Sequence, residues 1–281
     1  MVEFYDPVTK TTLSYYISKK LIKKWDKLKD GRLQLKDEDR VYIVDGRERS
    51  GKSVFTFQQA KYIDPTFNID RVCFSPDEFL QQIKYAPEGA VIVFDEAFRG
   101  LSSKASQSKV NKKIVEAMME MGQRNLVVFI VLPTIFLLEL YAAVLRTNAL
   151  FHVYKDRKNR RAFKIYNYNK KSWLYNYGKK RGFSYAMPKV RPADRFYNKY
   201  AINEDEYRAK KLNSLHKIEA SLTPPEVVPR WKIQRDFLLK QLLVYAKTKK
   251  KLMEIMKDCE YPVSYDQIKD ILNTNYQKIE K

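Results

Sequence analysis

The chain has little glycine, 8 residues in 281, and only two cysteines, Cys73 and Cys259. Thiols so far apart in sequence argue against a disulfide scaffold and suit a reducing compartment, so a cytoplasmic protein is expected. Scarce glycine also makes any motif that needs glycine at fixed positions less open to chance. Acids are few as well: 33 Asp and Glu stand against 54 Lys and Arg, a formal net charge of +21. That imbalance exceeds what solubility requires and points to a polyanionic partner. Residues 1–6 do not combine a basic start with an apolar core, so no secretory leader is expected. Low-complexity tracts and internal repeats are lacking, and 281 residues allow one sizeable α/β domain with a smaller appendage.

What is present begins at Val41. A short apolar strand, 41–45, runs into Gly46-Arg47-Glu48-Arg49-Ser50-Gly51-Lys52-Ser53, and residues from Val54 read as a helix to about Tyr62. Strand, G-x-x-x-x-G-K-S and helix together are the context of a phosphate-binding loop. Gly46 and Gly51 allow backbone angles and a close approach that a Cβ would block. The loop N–H groups from Gly46 to Val54 and the helix N-terminus make a cradle for negative charge. Lys52 is expected on the β- and γ-phosphates of ATP, and the Ser53 hydroxyl on Mg²⁺.

A second apolar run, Ala90–Phe94, ends in Asp95-Glu96. Continuous apolarity suits a strand buried on both faces of a parallel sheet, whose C-terminal end is where open α/β sheets bind ligands. Asp95 is the expected second metal group, and Glu96 is placed to orient or deprotonate the attacking water. The triphosphate is thus expected between the glycine-bent turn and a pair of acids on a neighbouring buried strand. Residues 126–145 carry one charge and are long enough to cross a bilayer. Pro133 divides them, however, into a buried strand, 126–132, and a helix, 134–145, capped by Thr134, so no membrane span is expected. Thr134 stands at the strand tip, where it could sense the γ-phosphate. Arg124, before the strand, and Arg146, after the helix, are candidate arginine fingers reaching a neighbour's site.

Strands alternating with helices predict a doubly wound, mainly parallel sheet. Residues 1–37 read as a basic amphipathic lead-in with Leu21, Ile22, Trp25 and Leu28 at helical spacing, and 38–200 as the ATPase core. Within that core, strand 150–154, a turn and returning arm 162–168 predict a basic β-hairpin region. From Phe151 to Lys199, 15 Lys and Arg face two Asp, with twelve aromatics interleaved. Basic groups pair with phosphates and aromatics stack on bases. Lys155, Arg157, Lys158, Arg160, Arg161, Lys170, Lys171, Lys179, Lys180 and Arg181 are therefore the expected nucleic-acid contacts. A charged helix and a Pro-rich linker, 201–229, lead to a small helical unit, 230–281, opened in part by a capping box at Ser264–Gln267.

The loop Gly46–Ser53, the strand ending in Asp95-Glu96-Ala97-Phe98, and Met121-Gly122-Gln123-Arg124-Asn125 before an apolar strand resemble the FtsK/HerA-type P-loop ATPases, near the viral and plasmid branch that includes the zonular-occludens-toxin-like proteins. The resemblance covers about residues 38–200. It implies a RecA-like core, hexameric rings, and ATP-driven movement of double-stranded DNA, as in packaging or transfer. Members usually carry Gln at the sensor-strand tip, where this chain has Pro133-Thr134. The leading expectation is an oligomeric ATP-driven DNA motor. Alternatives are a terminase-like or non-motor switch that loads DNA for a partner complex, and a membrane-associated assembly ATPase supported by the apolar run 126–145.

Overall fold

Strand β3 (Arg40–Asp45) is the axis of the molecule, because its five last residues are buried on both faces. The computed structural model describes residues 2–6, 10–29, 36–96, 115–119, 121–222, 230–258 and 263–273. They form two units, Met1–Lys217 and Ile218–Lys281. Residues 97–114 and the Pro-rich segment 223–229 lie outside the described residues.

In the first unit a hairpin, β1 (Val2–Asp6) and β2 (Thr11–Tyr15), precedes α1 (Lys19–Trp25), β3 and α2 (Lys52–Ile63). There follow β4 (Val72–Cys73), α3 (Pro76–Tyr85), β5 (Val91–Asp95), a helical turn at 115–119, and β6 (Val127–Val131). Then come β7 (Ala149–Lys155), β8 (Arg161–Asn167), α4 (Tyr168–Lys180), β9 (Asp194–Arg195) and α5 (Glu204–Leu222). The seven-stranded sheet runs β4-β5-β6-β3-β7-β8-β9. Its first five strands are parallel, and β8 and β9 are antiparallel. The fold is the mixed α/β, mainly parallel arrangement that the alternating elements predict.

Residue parity divides the core into two layers, since successive strand side chains point to opposite faces. Tyr42, Val44, Val93, Phe129 and Phe151 face α2 and the α1 segment. Val41, Ile43, Ile92, Phe94, Val128 and Ile130 face the other way, toward Phe79 of α3 and Leu174 and Tyr175 of α4. The predicted lead-in belongs to this core. Trp25 is fully buried, and its indole N–H donates to Gln59 Oε1 at 2.8 Å. Loss of so large a buried aromatic would cost about 3–5 kcal/mol. The β1–β2 hairpin was not legible in the pattern. A capping box forms at Ser75: Glu78 N–H donates to Ser75 Oγ at 3.2 Å, and Phe74 N–H to Glu78 Oε2 at 2.9 Å.

Two expected elements differ. The segment after Pro133 is not one α-helix: a single 3₁₀ turn, Ile135–Leu137, ends where Leu138 becomes extended, and a π-helical turn follows at Tyr141–Leu145. Thr134 still caps, accepting from Phe136 N–H. The apolar run is thereby broken, and no helix among the described residues is long and apolar enough to cross a membrane. The returning hairpin arm ends at Asn167, whose side chain caps α4 by accepting from Lys170 N–H at 3.1 Å. The 13 residues of α4 are therefore a helical part of the basic aromatic region.

The second unit packs α6 (Arg230–Ala246), α7 (Lys249–Asp258) and α8 (Tyr265–Asn273) around Ala246, Leu252 and Ile268. Ser264 and Gln267 make the reciprocal box, at 2.9 and 3.2 Å. Phe237 and Leu238 of α6 are exposed.

Lys171, expected on nucleic acid, is fully buried in the first unit. Its Nζ donates to Val144 O at 3.0 Å, and to the carbonyl and hydroxyl of Thr147. These acceptors lie at the end of the π-helical turn, where carbonyls lack intrahelical partners. Burial pulls the Lys171 pKa down to about 7, whereas an unfolded lysine titrates near ~10.4. Between those values the unfolded chain binds the extra proton, so stability from this group rises with pH and is flat below about 7. Denaturant unfolding of wild type minus Lys171→Met should therefore increase from pH 7 to 9, by at most about 1.4 kcal/mol per pH unit. A pH-independent difference would contradict the burial.

Candidate active site

The loop between β3 and α2 is bent at its two glycines. Gly46 has φ 143°, and a Cβ there would lie 1.9 Å from the Val153 carbonyl oxygen on neighbouring β7. Gly51 has φ 97° and begins α2; its Cβ would lie 2.7 Å from Arg161 Nε. The Lys52 side chain folds back along the loop, donating to Gly46 O at 2.9 Å and Arg47 O at 3.0 Å. Burial pulls the Lys52 pKa down, against the opposing pull of Asp95 and Asp45. Ser50 is buried, while Arg47, Glu48 and Arg49 are exposed, the last two at the cleft mouth with Val54 also lining it.

Asp95 does not stand on the adjacent strand. β6 intervenes, and the register Val44↔Val131↔Asp95 brings the acid level with the end of β3. From there Ser53 Oγ donates to Asp95 Oδ2 at 2.9 Å. Glu96 follows at φ 61°, a left-handed conformation in which few non-glycine residues are held, and its N–H donates to Asp95 Oδ1 at 3.0 Å. Lys52, Ser53, Asp95 and Glu96 line one cleft of 570 Å³. Two hard oxygen donors, Ser53 Oγ and Asp95 Oδ2, converge there, which fits Mg²⁺ with the remaining positions left to phosphate and water. Among the described residues no cluster of three His, Cys, Asp or Glu groups could hold a metal alone.

Helix α5 adds what sequence reasoning missed. Tyr207 is buried, and its hydroxyl lies 2.8 Å from Asp95 Oδ2 and 3.1 Å from Ser53 Oγ. Burial, and then the Asp95 charge, push its pKa well above the usual phenol range, so it is neutral. One turn on, Lys211 Nζ pairs with Glu96 Oε1 at 3.0 Å. Burial alone would lower the Lys211 pKa, but Asp95 and Glu96 outweigh it and raise it. In the sequence this stretch shows only mixed charge, and nothing separates Lys211 from Lys210.

Asp45 is fully buried behind the loop. It takes Ile135 N–H at 3.0 Å and the Tyr185 hydroxyl on Oδ2, with His152 Nδ1 at 2.8 Å from Oδ1. Thr134 Oγ1 lies 2.8 Å from the Tyr185 hydroxyl, so the expected sensor joins this supporting network, while Pro133 lines the cleft. Tyr185, one of the interleaved aromatics, is likewise turned inward.

The candidate fingers sit at the opposite sheet edge, before the N-terminal ends of β6 and β7. Arg124 donates to Lys84 O and to Ala86 O, the latter at 2.6 Å. Arg146 pairs with Asp39 and donates to Met118 O at 2.6 Å. Each would have to leave these acceptors to reach a neighbour. Among the expected nucleic-acid contacts, Lys155, Arg157, Lys158, Arg160, Lys170, Lys179, Lys180 and Arg181 are exposed. Arg160 pairs with Asp156 at 2.8 Å, and Lys179 donates to the Tyr175 hydroxyl at 2.6 Å. Arg161 differs: it lies against Gly51 and lines the cleft, and its buried Nε has no hydrogen-bond partner.

A mainly parallel sheet whose central strand runs into a phosphate loop is the RecA-like form of the P-loop NTPase fold. The sequence matches no protein-family model. No curated protein matches it either. Among solved structures, the N-terminal domain of zonular occludens toxin from Neisseria meningitidis aligns over 61% of this chain and 98% of that chain, with TM-score 0.41 and 13% identity. B204, the DNA-packaging ATPase from Sulfolobus turreted icosahedral virus, aligns over 47% and 94%, with TM-score 0.34 and 14% identity. The genome-packaging NTPase B204 from Sulfolobus turreted icosahedral virus 2, in complex with ATP-gammaS, aligns over 47% and 93%, with TM-score 0.31 and 14% identity. Likenesses this distant leave the functional reading to the residues of this chain.

The loop geometry has a direct consequence. Gly46→Ala places a methyl on a backbone carbonyl at a positive φ, so destabilisation of about 3 kcal/mol is expected. Thermal unfolding measures it, and an unchanged midpoint would contradict the close approach to Val153.

Proposed function

We propose that the protein is an ATP-hydrolysing, oligomeric motor that couples turnover to the binding and movement of nucleic acid, with double-stranded DNA as its partner and a six-membered ring as its working form. The observation that carries the hydrolytic part is the convergence of Lys52, Ser53, Asp95 and Glu96 on one cleft. The loop N–H groups and the α2 N-terminus bind the phosphates, and Lys52 exchanges its two carbonyl acceptors for β- and γ-phosphate oxygens. Ser53 and Asp95 would hold Mg²⁺, which supplies charge neutralisation on the phosphates. Glu96 orients a water and accepts its proton as the water oxygen bonds to the γ-phosphorus and the bond to the β-phosphate oxygen breaks.

Support for the nucleic-acid partner comes from charge and placement. β7 runs parallel to β3, so the exposed turn carrying Lys155, Arg157, Lys158 and Arg160 rises at the same sheet edge as the phosphate loop. Exposed Trp173 and Phe183 stand among the cations of α4 and the turn beyond it. Such a surface binds phosphate backbones without reading sequence and weakens steeply with salt. Arg124 or Arg146 would complete a neighbour's site after release from its present acceptors. The membrane-assembly alternative loses its support with the break at 133–140.

The test is ATPase activity at low salt with and without double-stranded DNA, with particle mass measured in parallel. DNA should stimulate turnover, and Lys52→Ala should lose nucleotide binding. Glu96→Gln should keep binding but lose turnover by roughly 10²-fold or more. Turnover indifferent to DNA would sink the motor reading.

A further inference from the structure

Helix α5 brings a second cation to the catalytic end of the cleft, and its neighbours on the helix are already engaged. Arg208 pairs with Glu204, its Nε 2.9 Å from Oε1. Lys210 donates to Ile69 O at 3.1 Å and Val72 O at 2.7 Å. Lys211 lines the cleft with Lys52 and Arg208, and it is Lys211 that sits on the Glu96 carboxylate. The phosphate loop and Ser53 define where the β- and γ-phosphates lie, and Glu96 marks the side from which water attacks. A cation beside Glu96 is therefore beside the terminal phosphate. A carboxylate held by an ammonium 3.0 Å away is turned to that ammonium rather than to a water. The same ammonium is drawn more strongly to a terminal phosphate, which carries more charge.

We propose that Lys211 is the γ-phosphate ligand of this site, supplied within the same chain by α5. In the resting site it holds Glu96; on binding of a nucleoside triphosphate it moves to the terminal phosphate and frees Glu96 to act on water. Tyr207 is a positioning residue: its neutral hydroxyl fixes Asp95 and Ser53 and anchors α5 one turn before Lys211. A nucleoside diphosphate has no terminal group for Lys211 to take, so it leaves Glu96 held. The site thus distinguishes triphosphate from diphosphate with a lysine from outside the sheet. This inference rests on the nucleotide reading of the cleft.

The experiment is calorimetric binding of ATPγS and of ADP to the full chain in magnesium buffer, for wild type, Lys211→Met, Lys211→Gln and Lys211→Arg. Loss of one charge-assisted phosphate contact should weaken ATPγS by about tenfold or more in the Met and Gln variants, with ADP within about twofold of wild type. Lys211→Arg should restore most of the difference, which a merely structural role would not require. Equal weakening of both nucleotides, or no change in either, would overturn the proposal. Absence of binding to wild type would refute the nucleotide reading itself, and is distinguishable because it precedes any substitution.

Discussion

The parallel register across β3, β6 and β5 is the constraint on which the site depends. Pairing of Val44 with Val131, and of Val131 with Asp95, sets the end of the acid strand level with the loop although a whole strand lies between them. A slip of one residue would turn Asp95 to the opposite face and swap the two apolar layers. Continuous burial of these strands specifies that register, since every residue of β5 and β6 is buried. The precision of the Ser53–Asp95 contact therefore comes from hydrophobic packing two strands wide.

The parallel sheet, with the glycine-bent loop and the acid-ended strand that it positions, was legible because each shows as particular residue types in contiguous runs. The acids were expected on a neighbouring strand, and strand order is set by tertiary pairing that no local pattern records. The 134–145 segment misled for a related reason. Its composition favours helix, but Leu138 and Glu139 break the turn, and Lys171, distant in sequence, satisfies the carbonyls that follow. Tyr207, Lys211, His152 and Tyr185 could not be read at all. Each reaches its acid across a sequence separation of 107 or more, and a tyrosine or lysine in a charged helix carries no mark of such a contact.

The scarcity of glycine has a structural counterpart. Helix ends and tight turns commonly use glycine at left-handed positions, where it also lets the last carbonyls be satisfied. Here Arg49, Glu96, Asn125 and Asn159 take up positive φ instead. Carbonyls in turns and at element ends are met by Lys and Arg side chains: Lys61 on Phe67 O, Lys171 on Val144 O and Thr147 O, Lys210 on Ile69 O and Val72 O, Arg124 on Lys84 O and Ala86 O.

This changes what a net charge of +21 means. Lysines and arginines that cap buried carbonyls, line the nucleotide cleft or pair with its acids are not on offer to a polyanion. The exposed basic turn 155–160 and the outer face of α4 are part of what remains, with Lys189, Arg191 and Lys199 also exposed. On the proposed reading a partner's phosphates would meet that surface, whose basic turn rises at the same end of the sheet as the loop, Arg161, Asp95 and Glu96. Charge counted along a sequence bounds the class of partner; only the side chains left without internal acceptors say where it would bind.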